Sequence, residues 1–487
     1  MPNSSRCSFK YAVLMALSLV GTITSSTMGA TRTWIGGNAD WVDNGSPLLW
    51  SPNDEPEFDD LAIFNSANSI RMGSGNSLRA LTISGGFTLN TNGYDLAVNG
   101  HVQMTGANTK FIIGNVTSEV NADDVTINSG AMVELAGGTI VIDQESGFGI
   151  LSLNAGGSIV GYGTINLVDT PALASSLLNN NGTLTALSRP LLVSLPPPNG
   201  TLSINGGGAM ARIDLDGSEE NGAVHVERNQ TLDINLPLAD AFHGTLNLFH
   251  NSVLDIDSSW TLAGGSFNVT TGFVNTFPPI QSELATIKGG AVTQSGGTIA
   301  VVDEDGSLQF DAAFTMNGGS FVNNGLVIFN ANATIASTAN FTMPTDSSSI
   351  TVNAGKTVIV NQTNFKLDGN GSATNVLAIN SGGMLALNLG VGADTSLSGT
   401  IRLNQGTLKA TTEGGPLSFA GNLFIGAGSE STIEVQTGQE FLFQSTSHTM
   451  LDGDLRFVSN NAGIAAGATF SGTGALIISE ESQLNLA

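Results

Sequence analysis

The sequence predicts an all-β fold built as a parallel β-helix, a β-solenoid that we expect to be right-handed. Two observations carry this prediction: one strand–turn pattern recurs along the chain, and 61 of the 487 residues are glycine. The pattern is an alternating apolar run, an Asn, one small or polar residue, a Gly and a second alternating run. Its two clearest copies, with Asn380 and Gly382 and with Asn404 and Gly406, lie 24 residues apart, about one solenoid turn.

Each copy of the pattern has a local physical explanation. A period-2 run of branched and apolar residues forms a strand with one buried face. Asn and Gly then supply the left-handed backbone geometry of a corner, as we also expect at Asn128 with Gly130 and at Asn353. One turn cannot bury its own inner face, so the turns must stack. β-Sandwiches also have short strands and Gly-rich turns, but the repeat favours the solenoid.

Residues 1–30 read as a secretory signal peptide. Arg6 and Lys10 precede a short apolar run, and small and polar residues follow as far as Ala30, where we expect cleavage. The apolar run is too short for a stable membrane anchor. The single cysteine, Cys7, lies in this segment, so the mature chain has none and cannot form an internal disulfide.

Residues 31–66 differ from the rest because they contain three of the four tryptophans, Trp34, Trp41 and Trp50. An exposed strand edge at the end of a solenoid invites polymerisation. We therefore expect these aromatics, with Phe64, to form a cap over the first turn. An aromatic platform that stacks sugars is the alternative interpretation of the same residues.

The segment also resembles the opening of autotransporter-like, planctomycete-type exported β-helix repeat proteins. The residues that carry the resemblance are Thr33-Trp34, Asp40-Trp41, Trp50 and Phe64. Asp40-Trp41 replaces the Asn-Trp pair of that family, and the resemblance is confined to this segment. It implies a parallel β-helix displayed outside the cell, without enzyme activity.

Residues 67–487 are predicted to form the solenoid, with a Pro-rich excursion at about 168–200. The triple proline Pro196–Pro198 cannot lie in a central strand, and Thr170–Leu178 reads as a short helix. Phenylalanine is abundant, with 23 residues against three tyrosines. Because phenylalanine has no polar group, we expect these side chains in stacked core ladders rather than in a sugar-binding groove.

The charge balance excludes one class of partner. Only 11% of residues are charged, against about 25% in ordinary globular domains. There are 40 acidic and 15 basic residues, a net charge of −25. Nucleic-acid binding needs clustered Lys and Arg, so we expect none. We also expect no transmembrane anchor in the mature chain.

β-Helix enzymes that cleave polysaccharides are the serious alternative. Their hydrolases need two or three converging carboxylates, and their lyases need a basic residue with nearby cations. The candidate carboxylates are Asp123-Asp124, Asp214 with Asp216, Glu219-Glu220, and Asp303-Glu304-Asp305. We interpret each set as a solvated turn, because adjacent residues on a strand point to opposite faces. The lysines of the mature chain, none of them next to an evident acidic cluster, are Lys110, Lys288, Lys356, Lys366 and Lys409.

Calcium is the only cofactor that the sequence leaves open. Asp214–Glu220 and Asp303–Gly306 place acids near glycine, but neither matches an EF-hand loop. The closest histidine pair is His243 and His250, and zinc would need three or four convergent ligands. We therefore expect no catalytic, cofactor-binding or metal residues.

These observations predict an exported bacterial protein, secreted or held at the cell surface, that acts as a non-enzymatic scaffold or adhesin. Its expected partners are cell-surface components, glycans or other surface proteins. The alternative is a carbohydrate-active β-helix protein, either a polysaccharide lyase or hydrolase or a glycan binder.

Overall fold

The computed structural model describes residues 29–41, 49–52, 54–143, 149–168, 177–187, 200–207, 212–216, 222–270, 284–345, 347–362, 365, 376–389, 396–412, 416–428, 430–435, 440–458, 461–479 and 482–486. These residues form strands and turns and contain no α-helix. Accordingly, none of them belongs to a helix that could cross a membrane.

The first group of strands is β1 (Thr31–Trp34), β2 (Ala39–Trp41), β3 (Trp50–Ser51), β4 (Leu61–Phe64), β5 (Ser69–Met72), β6 (Asn76–Leu78), β7 (Ala80–Ile83), β8 (Thr88–Asn90), β9 (Leu96–Met104), β10 (Thr109–Gly114), β11 (Glu119–Ile127), β12 (Ala131–Asp143), β13 (Ile150–Leu153), β14 (Ser158–Val168), β15 (Leu177–Asn180), β16 (Thr183–Ala186) and β17 (Gly200–Gly207). The middle group is β18 (Arg212–Asp214), β19 (Ala223–Val226), β20 (Gln230–Ile234), β21 (Thr245–Phe249), β22 (Val253–Ile256), β23 (Trp260–Leu262), β24 (Ser266–Thr270), β25 (Ala285–Gly289), β26 (Val292–Gln294), β27 (Thr298–Val301), β28 (Ser307–Phe310), β29 (Phe314–Met316), β30 (Ser320–Asn323), β31 (Leu326–Phe329), β32 (Ala333–Ile335), β33 (Asn340–Thr342) and β34 (Ser349–Val352). The last group is β35 (Thr357–Val360), β36 (Val376–Ile379), β37 (Met384–Leu389), β38 (Ser396–Leu397), β39 (Thr400–Leu403), β40 (Thr407–Thr412), β41 (Leu417–Phe419), β42 (Asn422–Ile425), β43 (Glu430–Val435), β44 (Glu440–Phe443), β45 (His448–Leu451), β46 (Asp454–Val458), β47 (Asn461–Ile464), β48 (Thr469–Gly472), β49 (Leu476–Ile478) and β50 (Gln483–Leu486).

Successive turns stack in parallel register, so the predicted β-solenoid is confirmed. In the later turns each coil contributes one strand to each of three faces, as β42, β43 and β44 do before β45, β46 and β47 pair onto them. One face is a continuous ladder of 17 parallel strands, from β6 to β48. In that ladder Val376, Thr400, Asn422, His448 and Thr469 occupy the same position in consecutive turns.

Alternation of side chains along each strand builds the core. Many four-residue strands repeat the order half-buried, buried, half-buried, buried, which is the period-2 pattern of a strand with one apolar face. The buried side chains of the stack merge into one continuous hydrophobic core. Phe310 stacks on Phe329 of the next turn, with ring centroids 5.6 Å apart, and on Phe314 of its own turn, with ring centroids 4.6 Å apart. The predicted phenylalanine ladders are therefore confirmed.

One corner of the stack consists of glycine backbone, and we call it the glycine corner. It comprises Gly182, Gly222, Gly244, Gly265, Gly297 and Gly319. The carbonyl of each residue accepts a hydrogen bond from the next turn, for example from the amide of Thr298 to Gly265 (3.1 Å). A Cβ on Gly297 would overlap the carbonyl oxygen of Gly264 in the turn before. The turns therefore approach at this corner more closely than side chains would allow.

The Asn residues of the repeat have a different role from the one predicted. Gly130 and Gly382 do have positive φ, at 79° and 68°, whereas Asn380 and Asn404 do not. In the second copy Gln405 takes the left-handed position (φ 61°) in place of the predicted glycine. The asparagine side chains instead bond to one another along the stack, because an amide both donates and accepts and the turns are in register.

We call the longest of these rows the asparagine column, which consists of Asn330, Asn353, Asn380 and Asn404. Asn404 Nδ2 donates to Asn380 Oδ1 (3.2 Å), and Asn380 Nδ2 donates to Asn353 Oδ1 (2.9 Å). Asn353 donates in turn to Asn330. The column therefore connects four turns through side chains in addition to the backbone ladder.

The N-terminal tryptophans close the first turn. Trp34, Trp41, Trp50 and Phe64 are fully buried. The ring of Trp50 lies 5.2 Å from Trp34, 5.5 Å from Trp41 and 5.2 Å from Phe64, measured between centroids. β3 pairs antiparallel with β1, unlike the parallel pairings of the stack. The burial of these side chains at the first turn agrees with a capping role, and it leaves no exposed ring face for the alternative, a platform that stacks sugars.

Part of the predicted Pro-rich excursion belongs to the stack. β15 pairs with β13 and β16 pairs with β14, both in parallel. Leu177 and Leu178, predicted as the end of a helix, lie in β15 because Leu178 continues the buried row below Leu151. The signal peptide as far as residue 28 and the triple proline lie outside the described residues.

Candidate functional site

The structure brings three carboxylates together on neighbouring turns. Asp214 is the last residue of β18, Asp216 lies two residues further on, and Asp240 lies in the loop between β20 and β21. One oxygen from each of the three lies within 4.8 Å of the others. It is the one group of three or more His, Cys, Asp or Glu side chains with metal-binding spacing in the described part of the chain.

Asp216 is the buried member of this carboxylate cluster. Its relative exposure is 2%, and it accepts a hydrogen bond from the backbone amide of His243. The ring Nδ1 of His243 lies 3.7 Å from Asp216 Oδ2. Burial raises the pKa of the Asp216 carboxyl, and the charge of Asp240 raises it further, while the His243 hydrogen bond opposes both.

Three oxygen-bearing side chains are the ligand type that Ca²⁺ prefers. Asp214 and Asp216 together with Asp240 are therefore the residues that could hold such a cation. The prediction that Asp214 and Asp216 form a solvated turn is wrong, because the following turn of the solenoid covers Asp216. Asp216 is already satisfied by the amide of His243, so the cluster alone does not define a metal site.

The sequence analysis did not identify Asp240 as a member of the cluster, although its spacing from Asp216 could have indicated it. Asp240 lies 24 residues after Asp216, which is the spacing that separates the two clearest copies of the repeat. Residues one period apart lie on adjacent turns, and carboxylates so spaced can meet even when no local motif joins them. In the sequence the nearest histidine to His243 is His250, whereas the structure places His243 beside Asp216.

The remaining candidate carboxylates separate into different environments. Asp303–Asp305 form a turn closed by the Gly306 amide bonding to the Asp303 carbonyl (2.9 Å), as predicted. Asp123 and Asp124 lie within β11 and are half-buried, so their assignment to a solvated turn is wrong. The Asp124 carboxylate accepts the amide of Ile150 at 2.8 Å and so links adjacent turns. Glu219 and Glu220 lie outside the described residues.

Three lysines form ion pairs with acids on adjacent turns: Lys110 with Glu134, Lys288 with Asp255 and Lys409 with Glu434. Lys288 is the one with the most acidic surroundings. The hydrogen bond to Asp255 (2.7 Å) raises the pKa of its ammonium group, and the charges of Asp255, Asp233 and Asp311 add to this effect.

This environment corrects the prediction that no lysine adjoins an acidic cluster, because Asp233 and Asp255 occupy the turns before Lys288. It also makes Lys288 a poor proton-abstracting base, since a base needs a pKa near the working pH. Of the other two lysines, Lys356 lies in a turn of the stack, whereas Lys366 lies outside the described residues.

The fold defines the chain as a β-solenoid, and within its described residues the carboxylate cluster is the one group with metal-ligand spacing. A scan against protein-family models finds no match, and a search of the curated proteins finds no similar sequence.

Proposed function

We propose that this chain is an exported, non-enzymatic β-solenoid that serves as a scaffold or adhesin at the bacterial cell surface. The observation that carries the proposal is the uninterrupted ladder from β6 to β48 over a single core. Such a stack repeats the same strand spacing from turn to turn along this ladder, so it supports a surface whose parts hold fixed spacings.

Two further features support export and display. β1 begins at Thr31, directly after the expected signal-peptide cleavage point at Ala30. The absence of cysteine from the mature sequence is compensated by core burial and by side-chain rows such as the asparagine column. The strong net negative charge favours solubility outside the cell.

Export is tested by expressing the full chain in a bacterial host with an intact secretion pathway. N-terminal sequencing of the product should begin at Thr31, and the product should leave the cytoplasm. A matched variant with Arg6→Glu and Lys10→Glu should remain inside, because the signal peptide needs its positive region. Cytoplasmic retention of the unmodified chain with residue 1 intact would contradict export.

The non-enzymatic part is tested with the purified mature chain and a panel of acidic and neutral polysaccharides. We expect no new reducing ends and no unsaturated products. Turnover that is abolished by Asp216→Asn or by Lys288→Ala would replace the proposal with the carbohydrate-active alternative. Binding of intact bacterial surfaces or cell-wall preparations without turnover is the result expected of an adhesin.

A further inference from the structure

The corner between β8 and β9 is an Asn–Gly turn. Asn92 and Gly93 are its two central residues, with φ values of 53° and 94°, and the amide of Tyr94 donates to the carbonyl of Thr91 (3.0 Å). Positive φ at both central residues defines a type I′ turn, which Asn–Gly favours. The same dipeptide is also the one in which a side chain attacks its own backbone most easily, because glycine has no Cβ to hinder the approach to its nitrogen.

The reaction open to such a pair is deamidation. The glycine nitrogen loses its proton to solvent and attacks Cγ of the asparagine, so that a C–N bond forms while the Cγ–Nδ2 bond breaks and ammonia leaves. Water then opens the resulting succinimide at either of its carbonyls, which gives aspartate or isoaspartate. The reaction needs only water, but a glycine N–H that is held in a hydrogen bond must first be released.

Six Asn–Gly pairs lie wholly within the described residues, and the fold holds most of them in place. Asn99–Gly100 lies within β9 and Asn205–Gly206 within β17, two strands that are paired on both sides. In three other pairs the glycine amide donates a hydrogen bond: Gly182 to Asn180 Oδ1 (3.2 Å), Gly318 to the carbonyl of Gln294 (3.2 Å) and Gly325 to Asn323 Oδ1 (3.1 Å). In each of these three the amide has to leave its acceptor before it can react.

The pair Asn92–Gly93 differs from these. No described residue accepts a hydrogen bond from the Gly93 amide, and Asn92 is exposed. The Asn92 side chain donates from Nδ2 to the carbonyl of Met72 (3.2 Å), and its backbone amide donates to Asn90 Oδ1 (2.8 Å). Neither bond involves the Gly93 nitrogen, so the nucleophile of the reaction is free in the folded chain.

We infer that Asn92 deamidates spontaneously in the folded protein, whereas the fold protects Asn181, Asn317 and Asn324. The attack requires Asn92 to rotate out of its left-handed conformation, so that the Gly93 nitrogen reaches its Cγ. An L-residue disfavours that conformation, so its loss costs little at an exposed corner. After Asn317, by contrast, the same movement also breaks the hydrogen bond from Gly318 to the turn before. The inference goes beyond the proposed function and does not depend on it.

The product changes a contact between turns. The Gly93 carbonyl accepts a hydrogen bond from Thr117 Oγ1 of the following turn (3.4 Å), and isoaspartate at position 92 adds one methylene to the backbone just before it. Either product also places a new negative charge near Asp95, whose carboxylate accepts the amide of Glu119 (2.9 Å). Because each turn of a solenoid contacts only its neighbours, the disturbance stays close to this corner.

The first test is peptide mapping by mass spectrometry after incubation of the purified mature chain at mildly alkaline pH. Asn317 is the internal control, since it is exposed like Asn92 but is followed by a bonded amide. We expect Asn92 to deamidate about 2–10-fold faster than Asn317, the factor that corresponds to one net hydrogen bond. In the chain unfolded by denaturant the two rates should be similar. Equal rates in the folded chain, or a faster reaction at Asn317, would overturn the inference.

The second test compares the unmodified protein with Asn92→Gln by native ion exchange during the same incubation. Glutamine forms its cyclic imide far more slowly than asparagine, and Gln405 shows that glutamine can occupy a left-handed corner of this fold (φ 61°). We expect acidic species to accumulate in the unmodified protein and to be largely lost in Asn92→Gln, with unchanged circular dichroism. Accumulation at the same rate in both proteins would refute Asn92 as the reactive site.

Discussion

At the glycine corner a single methyl group decides whether two turns can approach. Gly297 has a φ of 62°, and a Cβ there would overlap the carbonyl oxygen of Gly264. We expect Gly297→Ala to lower the free energy of unfolding by about 2–5 kcal/mol, from left-handed backbone strain together with steric overlap. Urea unfolding followed by circular dichroism measures the change.

Gly355 supplies the matched control for this substitution. Its φ is 68°, but a Cβ there would meet no atom within 4 Å. Gly355→Ala should therefore show only the backbone strain, about 1–2 kcal/mol. Equal losses in the two variants would mean that the close approach of turns at Gly297 contributes nothing.

Asp216 gives stability an unusual dependence on pH. Its folded-state pKa is raised above the unfolded value by burial and by Asp240. Its contribution to stability is therefore present below the unfolded pKa and is lost as the pH rises through the folded pKa. Asp216→Asn keeps an acceptor for the His243 amide without the charge. We expect this variant to exceed the unmodified protein in stability at neutral pH, with the difference vanishing in acid.

Denaturant unfolding between pH 3 and pH 8, in chelator and again with added Ca²⁺, checks this prediction. In chelator the unmodified protein should lose stability relative to Asp216→Asn as the pH increases. If Asp216→Asn were instead less stable than the unmodified protein at neutral pH in chelator, the raised pKa of Asp216 would be contradicted. Stabilisation of the unmodified protein by Ca²⁺, absent from the variant, would identify the carboxylate cluster as a cation site.

The asparagine column acts at the level of the turn. Asn380 takes part in two side-chain hydrogen bonds of the column, whereas Asn404 at its end takes part in one. Each net hydrogen bond contributes about 0.5–1.5 kcal/mol. We expect Asn380→Ala to destabilise the stack about twice as much as Asn404→Ala, measured by denaturant unfolding. Equal effects would mean that the second side-chain hydrogen bond of Asn380 contributes nothing to stability.

The tryptophan cap protects the turns nearest to it. In a solenoid each turn contacts only its neighbours, so loss of the cap should be felt locally. We expect Trp50→Ala to abolish slow hydrogen exchange in β4 to β9 while β30 to β36 keep theirs. The comparison variant Phe329→Ala should abolish slow hydrogen exchange in β30 to β36 and leave that of β4 to β9 unchanged. Uniform loss of protection by Trp50→Ala would contradict a local role.

The strands and the stacking of turns could be predicted from the sequence because they depend on local alternation and on a repeat. Two features of the elements could not. The residue that takes the left-handed position varies from turn to turn, as Gly382 and Gln405 illustrate. The asparagine column depends on register between turns, which the irregular spacing of the copies leaves open.

The carboxylate cluster could be predicted only in part. Asp214 and Asp216 are close in sequence and therefore form a recognisable acidic pair, but their burial depends on which loop covers them. That loop is fixed by the position of Asp240 and His243 one turn later. A local reading cannot supply this information, because the contact is made between turns rather than within one.

At the scale of the whole molecule, the prediction concerns shape. Neighbouring strands lie about 4.8 Å apart, so the ladder of 17 strands from β6 to β48 extends for roughly 80 Å. Small-angle scattering from the purified mature chain should fit a rod of about this length. A compact, near-spherical profile would contradict the stack.

The hydrogen bonds between turns run along the length of this rod, and this orientation determines how the molecule responds to force. Tension applied at the two ends is concentrated on the few hydrogen bonds where the chain leaves the outermost turn, whereas each inner interface divides the same force among all its bonds. The molecule therefore unfolds one turn at a time, beginning at its ends. A turn of some 24 residues releases about 80 Å of chain. An anchored molecule can thus lengthen severalfold under load and still keep its remaining turns intact.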